Sequence, residues 1–251
     1  MDLPVISIIT VTYNACPYLE KTVESVVTQT CREIEYIIID GRSTDETIDI
    51  IKKHSENISF WISEKDNGLY DAMNKGINTA TGRYVWFLNA GDILPNKNIA
   101  CDITEIIKKN NYPDILFGET NLINEQGYVF STRRLKAPRE LNWKSFRMGM
   151  LVSHQAFLAK RSIIPLYDLK YRFSSDFDWC IRCMKKAESV INSNLTLVNY
   201  QYEGLTTSNR KASLKERYEI MCKYYGIIPT QIRHIWFAVR FYWAKYTKKI
   251  I

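Results

Sequence analysis

Four β-branched runs, each closing on a polar cluster, recur through the first ninety or so residues, and this alternation constrains the fold more than any other feature of the chain. Residues 5–12 (VISIITVT) read as a buried parallel strand and run into Tyr13-Asn14. Residues 35–39 (EYIII) end at Asp40-Gly41-Arg42-Ser43. Residues 58–63 end at Glu64 to Asp66, and residues 83–88 (RYVWFL) end at Asn89-Ala90-Gly91-Asp92. Between them lie helical spacings. Residues 17–28 carry Leu19, Val23, Val26 and Val27. Residues 44–54 are capped by Ser43 or Thr44, with Glu46 in the first turn. Residues 68–79 carry Leu69, Met73 and Ile77. A β-α-β-α-β-α-β order predicts an α/β fold: an open, Rossmann-like, mostly parallel sheet with helices on both faces. Ligands of such sheets bind beyond the C-terminal ends of the strands, where these four clusters stand.

After Asp92 the periodicity weakens. Residues 114–118, 127–131 and 191–200 read as further strands and residues 177–186 as a helix. Residues 132–150 are basic, aromatic and unassigned; residues 151–157, with His154-Gln155, read as a loop or a strand. From residue 213 to 249 the pattern predicts two amphipathic helices broken near 226–229. In the second, Ile232, Ile235, Trp236, Val239, Tyr242, Trp243 and Tyr246 share one face, with Arg233, Arg240 and Lys245 off it.

The net charge of +7 sits in this tail, because residues 208–251 hold ten basic and two acidic residues and the remainder is near neutral. The expected organisation is therefore a body over residues 1–207 and a basic, aromatic-rich helical tail over 208–251. Such a tail seeks an anionic surface, and a basic amphipathic helix fits a peripheral membrane contact. The alternative is a helix packed on the body. No run of 18 apolar residues occurs, and the N-terminus does not read as an export signal. Of six cysteines only Cys180 and Cys183 are close, without the second pair or histidines that structural zinc needs, so they read as small apolar helix residues and reduced thiols.

The chain has no G-x-G-x-x-G, no G-x-x-x-x-G-K-[ST], no nucleophile elbow and no H-E-x-x-H. It offers acids at strand ends instead. The strings SIITVTYNA, EYIIIDGRSTDETI, ISEKDNGLYDAMNKGINTATGRYVWFLNAGD, SHQAFLAKR and SSDFDW, in this order over about residues 4–205, resemble the family 2 glycosyltransferases. These are inverting enzymes of the GT-A fold, here most similar to the bacterial capsule, O-antigen and exopolysaccharide group.

The resemblance implies transfer of a sugar from a nucleoside-diphosphate donor, with UDP expected, to a hydroxyl of a lipid-linked or other polysaccharide precursor. It implies a cytoplasmic site, peripheral on the inner face of the membrane. It also implies roles. Asp40 resembles the acid that accepts from the nucleobase, with Thr12, Tyr13 and Ser43 lining the same pocket. Asp66 resembles an acid near the sugar or ribose. Asn74 and Lys75 are expected to face the diphosphate. Asp92 resembles the last acid of a D-x-D metal signature holding Mn²⁺ or Mg²⁺, although Asn89-Ala90-Gly91-Asp92 keeps one acid only, with Asn89 polar at the first position. Asp176 resembles the base that takes the acceptor proton; Asp178, two residues on, competes for that role or is a solvated helix-start acid. Asp71 is either a donor-site acid or a first-turn acid of its helix. His154 and Gln155 resemble an element that contacts diphosphate, metal or acceptor, whereas His54 and His234 read as surface residues. Two other readings stand beside this one. One is a catalytically silent sugar-nucleotide scaffold, motivated by Gly91. The other is a nucleic-acid binder using the tail, which the strand-end acids oppose by repelling phosphates.

Overall fold

A computed structural model describes residues 3–202 and 209–247, with backbone alone at 238 and 240–247. Strand β1 (Ile6–Thr12) is buried at every position, as its continuous apolar run requires. It lies between β2 (Ile34–Asp40) and β4 (Tyr84–Phe87), with β3 (Phe60–Ser63) outside β2, all four parallel. The register sets Thr12 beside Asp40 and Asp40 beside Ser63, so three strand ends form one polar row. The crossovers are α1 (Cys16–Val27), α2 (Thr47–Lys53) and α3 (Leu69–Thr79).

The second half completes an eight-stranded sheet. Helix α4 (Ile99–Lys109) leads into β5 (Ile115–Ile123) and β6 (Val129–Thr132). A 3₁₀ turn at His154–Ala156 leads into β7 (Phe157–Lys160), which slots antiparallel between β4 and β5. Helix α5 (Ser175–Lys186) precedes β8 (Val190–Gln201), which runs parallel along the other side of β5. The core joins both halves through Trp179, whose ring lies 5.9 Å from Phe87 and 5.9 Å from Phe157.

The tail forms α6 (Arg210–Tyr225) and α7 (Ile227–Thr247), broken at Gly226, whose φ of +86° lies in the left-handed region. Helix α6 is fastened to the body: Ser213 meets Ser174 at 2.9 Å, and both Glu216 oxygens accept N–H groups, from Arg172 and Phe173. The boundary expected between residues 207 and 208 lies outside the described residues, as do Lys248 and Lys249 and the side chains of Arg240, Tyr242, Trp243, Lys245 and Tyr246.

Several expectations are corrected. Helix α2 starts at Thr47 rather than at 44, because Ser43 and Thr44 spend their polar groups on Asp40 and Asn14. Helix α4 has no counterpart in the sequence reading. His54 is half-buried against Glu20 at 2.8 Å, and His234 is packed between the rings of Tyr218 and Phe237. Of the two readings of Asp71, the first-turn acid is the one seen: it lies in the first turn of α3 and accepts from the N–H of Asn67 at 2.9 Å. As expected, Cys180 and Cys183 are buried free thiols of one helix, α5.

Candidate active site

Parallel pairing brings the C-terminal ends of β1 to β4 to one edge, and the polar clusters with them. Asp40 is wholly buried there. Its carboxylate accepts from the Ser43 N–H at 2.9 Å, the Ser43 hydroxyl at 2.5 Å and the Ser63 hydroxyl at 2.6 Å. It thus builds the pocket floor rather than presenting a free carboxylate to a nucleobase. Thr12 is buried beside it with Oγ1 unpartnered. Tyr13 is open to solvent, and Asp66 is half-buried and accepts from the Gly68 N–H at 2.9 Å. A Cβ placed on Gly41 would meet Asp66 Oδ2 at 2.6 Å and the Tyr13 ring at 3.4 Å, so Asp66 and Tyr13 close directly over Gly41.

Two donor-site expectations are not met by the geometry. Asn74 is buried and spends its amide on the backbone of Tyr167, donating to its carbonyl at 3.0 Å and accepting from its N–H at 2.6 Å. Lys75 is neutralised by Glu64 at 2.8 Å and donates to the Lys65 carbonyl at 2.9 Å. Each residue holds a neighbouring loop: Asn74 uses its amide on Tyr167, and Lys75 commits two of its three donors to Glu64 and Lys65.

Asp92 lies deeper, with 3% of its surface exposed. Oδ1 accepts the Gln201 N–H and Oδ2 the Gln155 amide, both at 3.0 Å. Burial pushes its carboxyl up to about 7, against the pull of those two donors and of His154. Gln155 is itself held by Ser153 and through its carbonyl by the Trp86 indole at 2.7 Å, so it positions Asp92. Asn89 Oδ1 and His154 Nε2 are buried without a hydrogen-bond partner. The amide oxygen of Asn89 and the Asp92 carboxylate are oxygen donors of the type that suits Mn²⁺ or Mg²⁺, and the His154 nitrogen would add a softer ligand better suited to Mn²⁺. Among the described residues no cluster of three or more His, Cys, Asp or Glu could hold an ion, so such a cation would draw much of its shell from a substrate.

Asp176 sits in the first turn of α5, its carboxylate 15% exposed. Oδ1 accepts from the Tyr70 hydroxyl at 3.2 Å, and Oδ2 lies 3.4 Å from His154 Nδ1. Burial would raise this carboxyl, but the His154 hydrogen bond and charge, then the Arg217 charge, hold it below the usual value. His154 thus stands between Asp176 on its Nδ1 side and the Asp92 pocket. Asp178 faces away. It is wholly buried and accepts from Arg182 at 2.5 Å, Tyr224 at 2.8 Å and Lys223 at 3.0 Å. It is a latch between α5 and α6, neither part of the site nor a solvated helix-start acid.

Sequence reasoning missed Gln201, Tyr70, Tyr167, Arg133 and Arg217. Tyr167 stacks on Tyr70 at 5.3 Å and on Trp179 at 5.1 Å, forming an aromatic wall near Asp176. Tyr70 opens α3 after the Asp66 cluster, and its motif position was the one available signal. The others come from elements distant in sequence.

An open, mostly parallel sheet with carboxylates gathered at its strand ends defines an α/β protein with its ligand site at those ends. Residues 7–163 match the family described as "Glycosyl transferase family 2", and the chain belongs to that family of glycosyltransferases. It is 32% identical over 192 residues to a "PGL/p-HBAD biosynthesis glycosyltransferase" of Mycobacterium bovis, covering 73% of this chain and 71% of the relative. Its fold matches S. aureus TarS 1-349, solved with UDP-GlcNAc, at a TM-score of 0.68 and 20% identity, over 86% of this chain and 64% of that one. It also matches the mannosyltransferase PcManGT of Pyrobaculum calidifontis, solved with GDP-Man and Mn²⁺, at a TM-score of 0.61 and 15% identity, over 88% of this chain and 64% of that one. The chain thus spans under two thirds of these solved proteins, and the likeness establishes the GT-A fold.

Proposed function

We propose that this glycosyltransferase moves a sugar, with inversion, from a nucleoside-diphosphate donor to a hydroxyl of a lipid-linked or other cell-surface polysaccharide precursor of the capsule or O-antigen kind. UDP is the proposed nucleotide. The observation that carries this reading is Asp176: a partly exposed carboxylate in the first turn of α5, held by the Tyr70 hydroxyl and lying 3.4 Å from His154 Nδ1.

In the proposed step the acceptor oxygen attacks the anomeric carbon from the face opposite the diphosphate. The acceptor O–H proton passes to Asp176, and the carbon–oxygen bond to the diphosphate breaks with its electron pair leaving on the phosphate. Tyr70 and His154 hold the carboxylate in place for that transfer. Tyr13 and Asp66 are the accessible groups for the donor, over a floor made by Thr12, Asp40 and Ser43. Asp92, Asn89 and His154 would hold a divalent cation, which when bound offsets charge on the departing diphosphate.

The acceptor reading extends to the tail. Ile227, Ile228, Ile232, Ile235, Trp236 and Val239 of α7 are exposed, while no described helix is long and apolar enough to cross a membrane. An apolar outer face on a basic tail favours contact with an anionic lipid surface over a nucleic acid. We place the enzyme in the cytoplasm on the inner membrane face on that basis.

The test is nucleoside-diphosphate release from a panel of UDP- and GDP-sugars with Mn²⁺ or Mg²⁺, using the wild type, D92N and D176N. Release from one donor that D92N abolishes supports the transferase and names the donor. No release from any donor, together with no binding of UDP or GDP, would end this reading.

A further inference from the structure

Two arginines outside the sequence motifs stand on segments that pack beside Asp176 and His154. Arg217 follows Glu216, which caps the backbone of Arg172 and Phe173, and lies four residues on from Ser213, which bonds Ser174. Residues four apart share a helix face, so the attachments of α6 set Arg217 beside the start of α5. Its Nε is buried without a hydrogen-bond partner. Arg133 follows β6, half-buried, and donates from Nη1 to the Leu151 carbonyl at 3.0 Å, three residues before His154.

The two guanidinium groups share one neighbourhood. Asp176 feels the charge of Arg217, and Tyr200 and Arg133 feel it as well. Arg133 is pulled down to about 10, first by burial and then by the charge of Arg217. The nearby acids do not balance this pair. Asp176 is shared with Tyr70 and His154, and Glu119 gives one oxygen to the Ala137 N–H at 3.1 Å. Two like charges in a partly desolvated place are costly unless an anion joins them. Paired guanidinium forks match phosphate oxygens in geometry as well as charge.

We propose that Arg133 and Arg217 form a phosphate clamp that holds a substrate phosphate or diphosphate group beside Asp176. The proposal rests on the transferase reading. The phosphate comes from one of two sources: the leaving diphosphate of the donor, or the phosphate at the head of a lipid-linked acceptor. In the first case the clamp supplies positive charge that the single acid Asp92 recruits only in part through a cation.

The test is calorimetric titration of the full chain with pyrophosphate, UDP and GDP, and co-sedimentation with phosphatidylcholine vesicles with and without polyprenyl phosphate. R217M, R217K and R133M are compared with the wild type, with unfolding temperature as the folding control. R217M should weaken pyrophosphate binding roughly 10- to 100-fold, the effect of losing a charge-assisted pair, with R217K between it and the wild type. A matching loss for UDP or GDP assigns the clamp to the donor. Intact nucleotide binding with loss of the extra affinity for polyprenyl phosphate vesicles assigns it to the acceptor. R133M can disturb its bond to Leu151, so the R217 variants decide if it folds poorly. A wild type that binds neither pyrophosphate nor the phosphate-bearing vesicles, or R217M binding both as the wild type does, overturns the clamp. Pyrophosphate binding lost in R217M, in a wild type that binds no nucleotide, keeps the clamp and removes the transferase reading.

Discussion

Gly91 shows how one residue shapes the site. Its φ is +101°, and a Cβ there would come within 2.4 Å of the Gln201 side-chain oxygen. This positive φ favours glycine at the position between Ala90 and Asp92, where an acid is common in the strings this segment resembles. G91A should cost about 1–3 kcal/mol by chemical denaturation. It should also loosen Asp92, because the Gln201 N–H that Asp92 accepts belongs to the displaced residue. Manganese gives a second prediction, read without turnover. If Asp92 is the cation's anchor, Mn²⁺ at 100-fold above its Kd stabilises the wild type by about 2.7 kcal/mol and D92N by far less. An equal rise in unfolding temperature in both proteins would remove Asp92 as the anchor. Asp40, Asp92 and Asp176 were legible as acids at strand ends or in a motif. The environment of Asp178 was not, because two of its three partners, Lys223 and Tyr224, lie about 45 residues away on another helix.

Among elements, the contrast between the two acids of α5 separates chemistry from architecture. D178N removes the charge that three donors share and should cost about 3 kcal/mol, leaving the activity of the folded fraction largely intact. D176N should do the reverse: a small change in stability and a loss of roughly 100-fold or more in turnover with the true acceptor. If both variants lose activity in step with stability, Asp176 is not the base. Asp114 ties three strands together at the other edge of the sheet. It pairs with Lys160 at the end of β7 at 2.9 Å and accepts from Glu188 and Ser189, just before β8, at 2.9 and 3.2 Å. Burial acts to raise its carboxyl but is outweighed by the Glu188 N–H, Lys160 and the Ser189 N–H, which hold it below the usual value. A depressed carboxyl stabilises fully above its unfolded pKa, near 4, and that contribution disappears as pH falls further. D114N should therefore lower stability at pH 7 and flatten its decline below pH 4, measured as unfolding midpoint against pH. The parallel half of the sheet was readable because long apolar runs have no other home. Strand β7 was not, since four residues carry too little periodicity and its neighbours β4 and β5 are distant in sequence. Helix α4 escaped because Ala100 and Thr104 dilute its buried face and Asn98 caps it with no side-chain bond.

At the scale of the whole molecule, the tail divides into a helix that belongs to the body and one that faces outward. Helix α6 supplies Lys223 and Tyr224 to Asp178 and carries Arg217, so cutting the chain near residue 208 would damage the body as well as any anchor. Point substitutions on α7 test the anchor cleanly. Its inner side is spent on packing, with Thr230 buried and His234 and Phe237 in ring contact, while Ile235 is 66% and Trp236 45% exposed. The exposed area of this face stays in water in the folded chain, whereas each large residue entering a lipid interface gains roughly 1.5–3 kcal/mol. I232E with I235E, at positions 62% and 66% exposed, should thus leave the unfolding temperature within a degree or two and weaken co-sedimentation with anionic vesicles by about 100-fold or more. The basic residues add an electrostatic share, so wild-type binding should fall as salt rises past the Debye regime, at about 0.15 M, and fall again on neutral vesicles. Vesicle binding that survives the double substitution at low and high salt would mean that α7 is not what meets the membrane. Loss of binding with unchanged donor turnover would separate the proposed lipid contact of the last helix from the chemistry at the strand ends.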